Sequence, residues 1–338
     1  MFEYLTGAPP IEGGDAAPEL LVPGLAMRDA VVLDLLRDAA FSVTVATSSR
    51  APHRPRAAMR AAARPGESAA GFVAREAARH DLSWVIAPET GDLLAQLHGA
   101  VAPGRWLGCD AAAIATASSK RATSAQLAAH GVATPLAFEH APDVTRWVVK
   151  PDDGAGAVAT RVHPSRASAL ADAAAREHEH EREREREREG EGEGKGEREG
   201  APAVIEAWVD GEPLSLSLHC TRAGAELLSI NRQRIHTDAH GVLMFGGVEI
   251  NVLPLAGVQG RALQRVADAV ARAIPGLRGF VGIDLVWHAQ QGPVVIEVNP
   301  RLTCAYVGLS AALSTTHSRN LAAEVVAAHD TEHRNAHA

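Results

Sequence analysis

Several things are scarce in this chain of 338 residues, and each scarcity excludes a class. Cysteines number three, Cys109, Cys220 and Cys304, too few and too far apart for a disulfide framework or a cysteine zinc site, so a reducing compartment such as the cytoplasm is expected. No apolar stretch approaches the ~18 residues that a spanning helix needs, and the first residues lack a basic segment followed by an apolar run, so neither a membrane partner nor a secretory leader is expected. Aromatic residues are only 4%, and much of the interior must be Ala, Leu and Val. No GxGxxG fingerprint is present, which argues against a dinucleotide site. Basic charge is not in excess: the formal net charge is −8, and no nucleic-acid partner is expected.

That net charge comes largely from one tract. Between Glu177 and Glu199 stand eleven glutamates against six Lys/Arg, a net of −5. The stretch 176–200 runs through Glu-His, Glu-Arg and Glu-Gly repeats. The Glu-Arg part is compatible with a solvated helix and the Glu-Gly part with disorder, and the whole reads as a surface insertion without a catalytic role. His329, His333 and His337 recur every four residues near the end of the sequence and read as a frayed polar tail rather than a metal site.

The chain as a whole is 46% apolar, and outside that tract it is patterned as a mixed α/β protein. Residues 1–108 alternate strand and helix, which predicts a parallel sheet with covering helices and a ligand crevice at the strands' carboxyl ends, near Glu3–Gly7 and Ala87–Gly91. Gly7–Gly24 reads as a Gly/Pro-rich loop before a helix from Leu25 to Ala39. Residues 110–136 read as a helix pair, and 147–150 as a strand. Residues 204–208, 214–220 and 225–231 alternate like antiparallel strands, with Asp210-Gly211 as a hairpin turn. Two further apolar strands, 280–286 and 294–298, follow a helix over 263–273.

The chemistry concentrates in those last two strands. Asp284 interrupts one apolar run, Glu297 and Asn299 the other. Residues two apart share a strand face, so Glu297 and Asn299 look out together, and pairing of the strands would bring Asp284 to them. Two carboxylates and an amide oxygen make a hard oxygen site suited to Mg²⁺ or Mn²⁺. Upstream, Lys150 ends a strand just before Asp152-Asp153-Gly154-Ala155-Gly156, where glycines let backbone N–H groups approach phosphate oxygens. Lys120 begins a helix.

Taken in order, Lys120, Lys150 with its glycine-rich loop, Glu206-Ala207-Trp208-Val209-Asp210-Gly211-Glu212, Asp284 and Glu297-Val298-Asn299-Pro300-Arg301 resemble the ATP-grasp superfamily from about 110 to 315. The resemblance implies an α+β catalytic domain over 109–335, with a lid-like subdomain at about 134–210, behind an N-terminal parallel α/β pre-ATP-grasp domain over 1–108. It further implies that Lys120 and Lys150 contact ATP phosphates, Lys150 also reaching the adenine side. The loop with Asp153, Gly154 and Gly156 would cover the triphosphate. Glu206, Ala207, Trp208 and Val209 would form the hinge that reads adenine, and Glu212 would hold the ribose. Asp284, Glu297 and Asn299 would hold Mg²⁺ or Mn²⁺. Arg301 would stabilise the transferring phosphoryl group. In this family an Asp commonly precedes the first lysine, whereas Ser119 stands here.

The expected activity is ADP-forming ligation of a carboxylate to an amine through an acyl phosphate, on small amino-acid and amine substrates. Many relatives dimerise. Phe2-Glu3-Tyr4, Gly24-Leu25-Ala26-Met27, Ala87-Pro88-Glu89-Thr90-Gly91, Ser229-Ile230-Asn231-Arg232-Gln233 and Asn299-Pro300-Arg301-Leu302-Thr303 are similar to the tyramine–glutamate ligases of methanofuran biosynthesis. On that branch the γ-carboxylate of glutamate is activated, the amine is tyramine or tyrosine, and Arg232 or Arg301 binds a substrate carboxylate. A D-Ala–D-Ala-type ligase and a non-catalytic ATP-binding regulator are the alternatives. Cys304 reads as an apolar filler.

Overall fold

The computed structural model describes residues 1–9, 18–51, 55, 58–141, 144–154, 156–188 and 202–336. The N-terminal part contains β1 (Phe2–Glu3), α1 (Tyr4–Gly7), α2 (Pro18–Leu36), β2 (Thr44–Ala46), β3 (Met59–Ala61), α3 (Ala69–Ala77), β4 (Ser83–Ile86), α4 (Leu93–Gly99) and β5 (Trp106–Leu107). β1, β4 and β5 form a parallel sheet with β4 in the middle, and β2 pairs in parallel with β3. A hydrogen bond from Ala46 N to Met1 O, 2.9 Å, links the two sets. The expected parallel sheet is therefore present. Of the expected loop from Gly7 to Gly24, residues 10–17 lie outside the described residues and 18–24 are helical instead: α2 starts at Pro18 and carries Pro23 inside it. Packing explains this exception to propensity. A Cβ at Gly24 would lie 2.8 Å from Oε1 of the buried Glu3, so glycine lets the helix lie against the end of β1.

α5 (Ala111–Ser118) and α6 (Lys120–Ala129) give the expected helix pair. A small antiparallel sheet follows, with β6 (Trp147–Pro151) between β7 (Arg161–His163) and β8 (Ala203–Ala207). α7 (Arg166–Arg188) covers it, and Trp147, Val149, Ala169, Ala173 and Ala207 form its core. The Glu-Arg part of the charged tract is thus the continuation of α7, while its Glu-Gly part lies outside the described residues.

The large sheet is antiparallel, in the order β11–β10–β9–β12–β13: β9 (Glu212–Thr221), β10 (Gly224–Thr237), β11 (Leu243–Glu249), β12 (Gly279–His288) and β13 (Gly292–Asn299). α8 (Val258–Ala273) comes between β11 and β12, and α9 (Ala305–His317) and α10 (Leu321–Ala336) complete the chain. Leu214, Leu216 and Leu218 of β9 alternate onto the side of α8, where Leu263, Ala267 and Val270 form its buried stripe. The same core continues into Phe72, Leu94 and Trp106, so the N-terminal part and the large sheet share one interior across the expected boundary at 108.

Asp210-Gly211 is not a hairpin turn. β8 and β9 belong to different sheets, and the segment is the crossing between them. Gly211 has φ +152°, and a Cβ there would lie 2.3 Å from Trp287 O, so the chain passes β12 where only glycine fits. At another point the β10–β11 turn meets β7: Val162 N donates to Gly241 O at 2.8 Å and Leu243 N to Thr160 O at 2.9 Å. The final helix is not frayed at its histidines. His329 Nε2 lies 3.0 Å from Gly104 O, and its ring stacks on His333 with centroids 4.1 Å apart; His337 lies outside the described residues.

Candidate functional site

β12 and β13 pair so that Asp284 stands directly opposite Glu297 and Gly282 opposite Asn299. Directly opposed residues share a face, so these two strands place Asp284, Glu297 and Asn299 together. Asn299 Nδ2 is 3.4 Å from Asp284 Oδ2, and the Gln233 side chain also hydrogen-bonds Asp284. The row continues across the sheet through Ser215 to Asn231, whose amide donates to Ser215 Oγ at 3.4 Å and Ser217 Oγ at 3.2 Å. A buried polar floor thus supports the acids from one side.

Burial, followed by the charge of Glu297, pushes the Asp284 carboxyl up to about 7. The hydrogen bonds from Gln233 and Asn299 and the Arg301 charge work in the other direction and are outweighed. Two carboxylates held face to face with an amide beside them are a hard-oxygen donor set, and a divalent cation would cancel the repulsion between them. The residues therefore fit Mg²⁺ or Mn²⁺. Among the described residues no group of three or more His, Cys, Asp or Glu side chains is placed to hold a metal, so the set here is two carboxylates and the Asn299 amide, to which substrate and water would add ligands.

The cationic groups lie on the small sheet and α6. Lys150 on β6 pairs with Glu206 on β8, Nζ to Oε2 2.6 Å, and both side chains are buried. Lys120 is the first residue of α6, and its Nζ donates to Asp153 O at 3.0 Å and Gly154 O at 3.1 Å. The glycine-rich loop thus wraps the lysine that sequence reasoning assigned to phosphate. Ser119, the departure from the family pattern, has a carboxylate beside it after all: its Oγ donates to Asp152 Oδ2 at 2.8 Å and accepts from Ala122 N at 3.0 Å as the helix cap. Asp152 Oδ1 accepts from Arg121 N at 2.8 Å, so one aspartate ties the loop to the start of α6. Gly154 and Gly156 have φ of +93° and +74°.

In the segment between the sheets, Trp208 N donates to Arg146 O at 3.0 Å, and the Arg146 guanidinium lies 4.9 Å from the Trp208 ring centroid. Trp208 Nε1 donates to Asp210 Oδ1 at 3.0 Å, while Val209 is buried. Glu212 receives Arg232 Nε at 2.8 Å, and Glu249 lies 3.6 Å from the same guanidinium. Arg232 opposes Leu214, on the strand face opposite to Asn231, so the structure brings Arg232 to Glu212 and not to Asp284.

Arg301 makes a two-pronged pair with Glu89, Nε to Oε1 2.9 Å and Nη2 to Oε2 3.0 Å. Burial works against the guanidinium charge, but Glu89, Glu297 and Cys304, in that order, together hold the Arg301 pKa above its ordinary value. Glu89 follows β4, at the carboxyl end of the parallel sheet, where the sequence placed a ligand crevice without assigning this residue a role. Its signal was a single acid directly after a buried strand. Two residues on, Gly91 N donates to Asp153 Oδ2 at 2.8 Å. Cys304 adjoins the acids, but burial and then the Asp284 charge push its thiol up, against a nucleophilic role.

Residues 117–305 match the ATP-grasp domain family, and residues 41–114 match the pre-ATP-grasp 3 domain. No functionally curated protein matches the chain. Similar solved structures include an ATP-grasp superfamily protein from Archaeoglobus fulgidus, 20% identical, with 96% of this chain and 86% of that one covered at a TM-score of 0.63. An L-amino acid ligase from Bacillus licheniformis is 16% identical, covering 89% of this chain and 71% of that one at 0.63. A D-alanine–D-alanine ligase from Bacillus anthracis is 15% identical, covering 95% and 96% at 0.58. At these identities the likeness is one of fold.

Proposed function

Since the chain belongs to the ATP-grasp family, we propose that it is a Mg²⁺- and ATP-dependent, ADP-forming ligase that joins the γ-carboxylate of glutamate to the amine of tyramine or tyrosine. The observation that carries the ligase reading is the opposition of Asp284 and Glu297 across β12 and β13, with Asn299 beside them and Arg301 two residues further on. The substrate pair rests on the similarity of Ala87–Gly91, Ser229–Gln233 and Asn299–Thr303 to tyramine–glutamate ligases. The named amino-acid ligases among the similar structures support amino acids as the substrate class.

When bound, Mg²⁺ and ATP supply the electrophilic γ-phosphoryl group and neutralise part of its charge. Asp284, Glu297 and Asn299 would hold the metal. Lys120 and Lys150 would exchange their present partners, the loop carbonyls and Glu206, for phosphate oxygens, while Gly154 and Gly156 let the loop backbone approach them. Ala207 to Val209 would offer backbone groups to adenine, and Glu212 carboxylate oxygens to the ribose. Arg301, held in one orientation, would neutralise charge on the transferring phosphoryl group or on the acyl phosphate. The small sheet and its loop would keep water from the acyl phosphate until the amine displaces phosphate. No side-chain nucleophile is required.

The test is ADP release with Mg²⁺-ATP and glutamate, with and without tyramine or tyrosine, in wild type and Glu297→Gln. Turnover that needs the amine and disappears in Glu297→Gln is expected. Turnover only with other amino-acid pairs would keep the ligase and discard the substrates. Nucleotide binding without turnover of any pair would overturn the ligase reading.

A further inference from the structure

Arg301 occupies an awkward place. It follows Asn299 by two residues, and its charge is felt by both Asp284 and Glu297. A guanidinium so close to two carboxylates is drawn onto them, and a guanidinium resting there would compete with a divalent cation for the same oxygens. What holds it elsewhere is a residue from the other end of the fold. Glu89, 212 positions earlier and only 3% exposed, takes Nε and Nη2, while Nη1 donates to Leu302 O at 3.3 Å. Each of the three guanidinium nitrogens thus has a partner other than the acids. The loop that carries Glu89 is itself anchored, with Gly91 N on Asp153 and the backbone of Gly91 and Asp92 both at φ +60°.

We propose that Glu89 is a positioning residue that holds Arg301 off the Asp284–Glu297 pair and so keeps those carboxylates available to metal. The inference rests on reading Asp284, Glu297 and Asn299 as metal-holding. It makes the N-terminal part a component of the metal site although it supplies no ligand. Glu89→Gln keeps the shape and loses the charge, so Arg301 should turn to the acids. Glu89→Asp keeps the charge on a shorter arm and should do the same to a smaller extent.

The experiment is direct Mn²⁺ binding by electron paramagnetic resonance at saturating ADP, without turnover. Wild type should bind, and Asp284→Asn should not. Glu89→Gln should weaken binding about tenfold, as outer partners of metal ligands commonly do. Glu89→Asp should fall between, and it serves as the test if Glu89→Gln does not accumulate as folded protein. The decisive variant is Glu89→Gln/Arg301→Met: with the competing guanidinium gone, affinity should return to that of wild type. Unchanged binding in the Glu89 variants, or a double variant as weak as Glu89→Gln, would overturn the proposal while leaving the metal site standing. Wild type that binds no Mn²⁺, or binds it as well as Asp284→Asn does, would overturn both.

Discussion

The small sheet and the large sheet handle charge in opposite ways. On the small sheet a buried lysine and a buried glutamate, Lys150 and Glu206, satisfy one another at 2.6 Å. On the large sheet two acids, Asp284 and Glu297, stand opposite one another, and burial together with the Glu297 charge raises the Asp284 pKa to about 7. Their cores differ as well. The small sheet rests on a few side chains centred on Trp147 and Val149, whereas the large sheet shares its interior with the N-terminal part. The small sheet thus carries a satisfied pair, and the large sheet carries two acids of which one holds its proton up to about pH 7. Removing a charge should therefore damage stability on the small sheet, in addition to the phosphate contact assigned to Lys150, and activity without stability on the large one.

The largest effect expected is on turnover. Glu297→Gln should reduce the ligation rate on the order of 10²–10³-fold with no loss of thermal stability, as judged by steady-state ADP release beside a melting curve. A variant that also melts much earlier would break the contrast. Next comes Lys150→Met, which strands Glu206 as a buried carboxylate and should cost about 3–5 kcal/mol in denaturant unfolding. Lys150→Met/Glu206→Leu should recover most of that loss, since it buries no charge. Equal losses in both would mean that Lys150 contributes packing rather than charge.

A pH experiment sharpens the other side. The folded state keeps a proton on Asp284 up to about pH 7, while the unfolded chain releases it near 4. Between these values the folded form binds more protons, so the stability of the metal-free protein should fall as pH rises from about 4 to 7 and then level off. Asp284→Asn should flatten that slope and melt higher than wild type at pH 8, in buffer with a chelator. An unaltered slope would place the titration elsewhere. The smallest effect should come from deleting Glu177–Glu199, beyond the Arg176 contacts to Ala159 O and Asp172 and well past the core alanines of α7. The rate should stay within about threefold, since altering a surface connection costs little.

Much of this arrangement was legible because it is local. An acid interrupting an apolar strand, a lysine before a glycine-rich turn and a lysine opening a helix are all patterns within a few residues, and β12, β13, β6 and α6 form where those patterns put them. What escaped depends on distant partners. The Arg301–Glu89 pair joins positions 212 apart, and no local period announces it. The start of α2 was hidden because Pro23 and Gly24 argue against a helix until Glu3 is seen beside Gly24. Asp210-Gly211 has the composition of a hairpin turn, and only the proximity of Trp287 O shows why glycine is needed there for another reason.

Among the described residues, the small sheet is joined to the large one by the crossing at Trp208–Gly211 and by the contact of Val162 and Thr160 with Gly241 and Leu243, and the loop after β6 is tied besides to α6 and to Gly91. A plate hung from a single joint can tilt in any direction. One hung from two retains a single easy rotation, about the line between the joints. A rotation about that line would swing Lys150 relative to Asp284 along one arc, and it would first have to part the loop after β6 from Lys120, Arg121 and Gly91. Re-forming those bonds at each closure would return the lysine and the acids to the same separation.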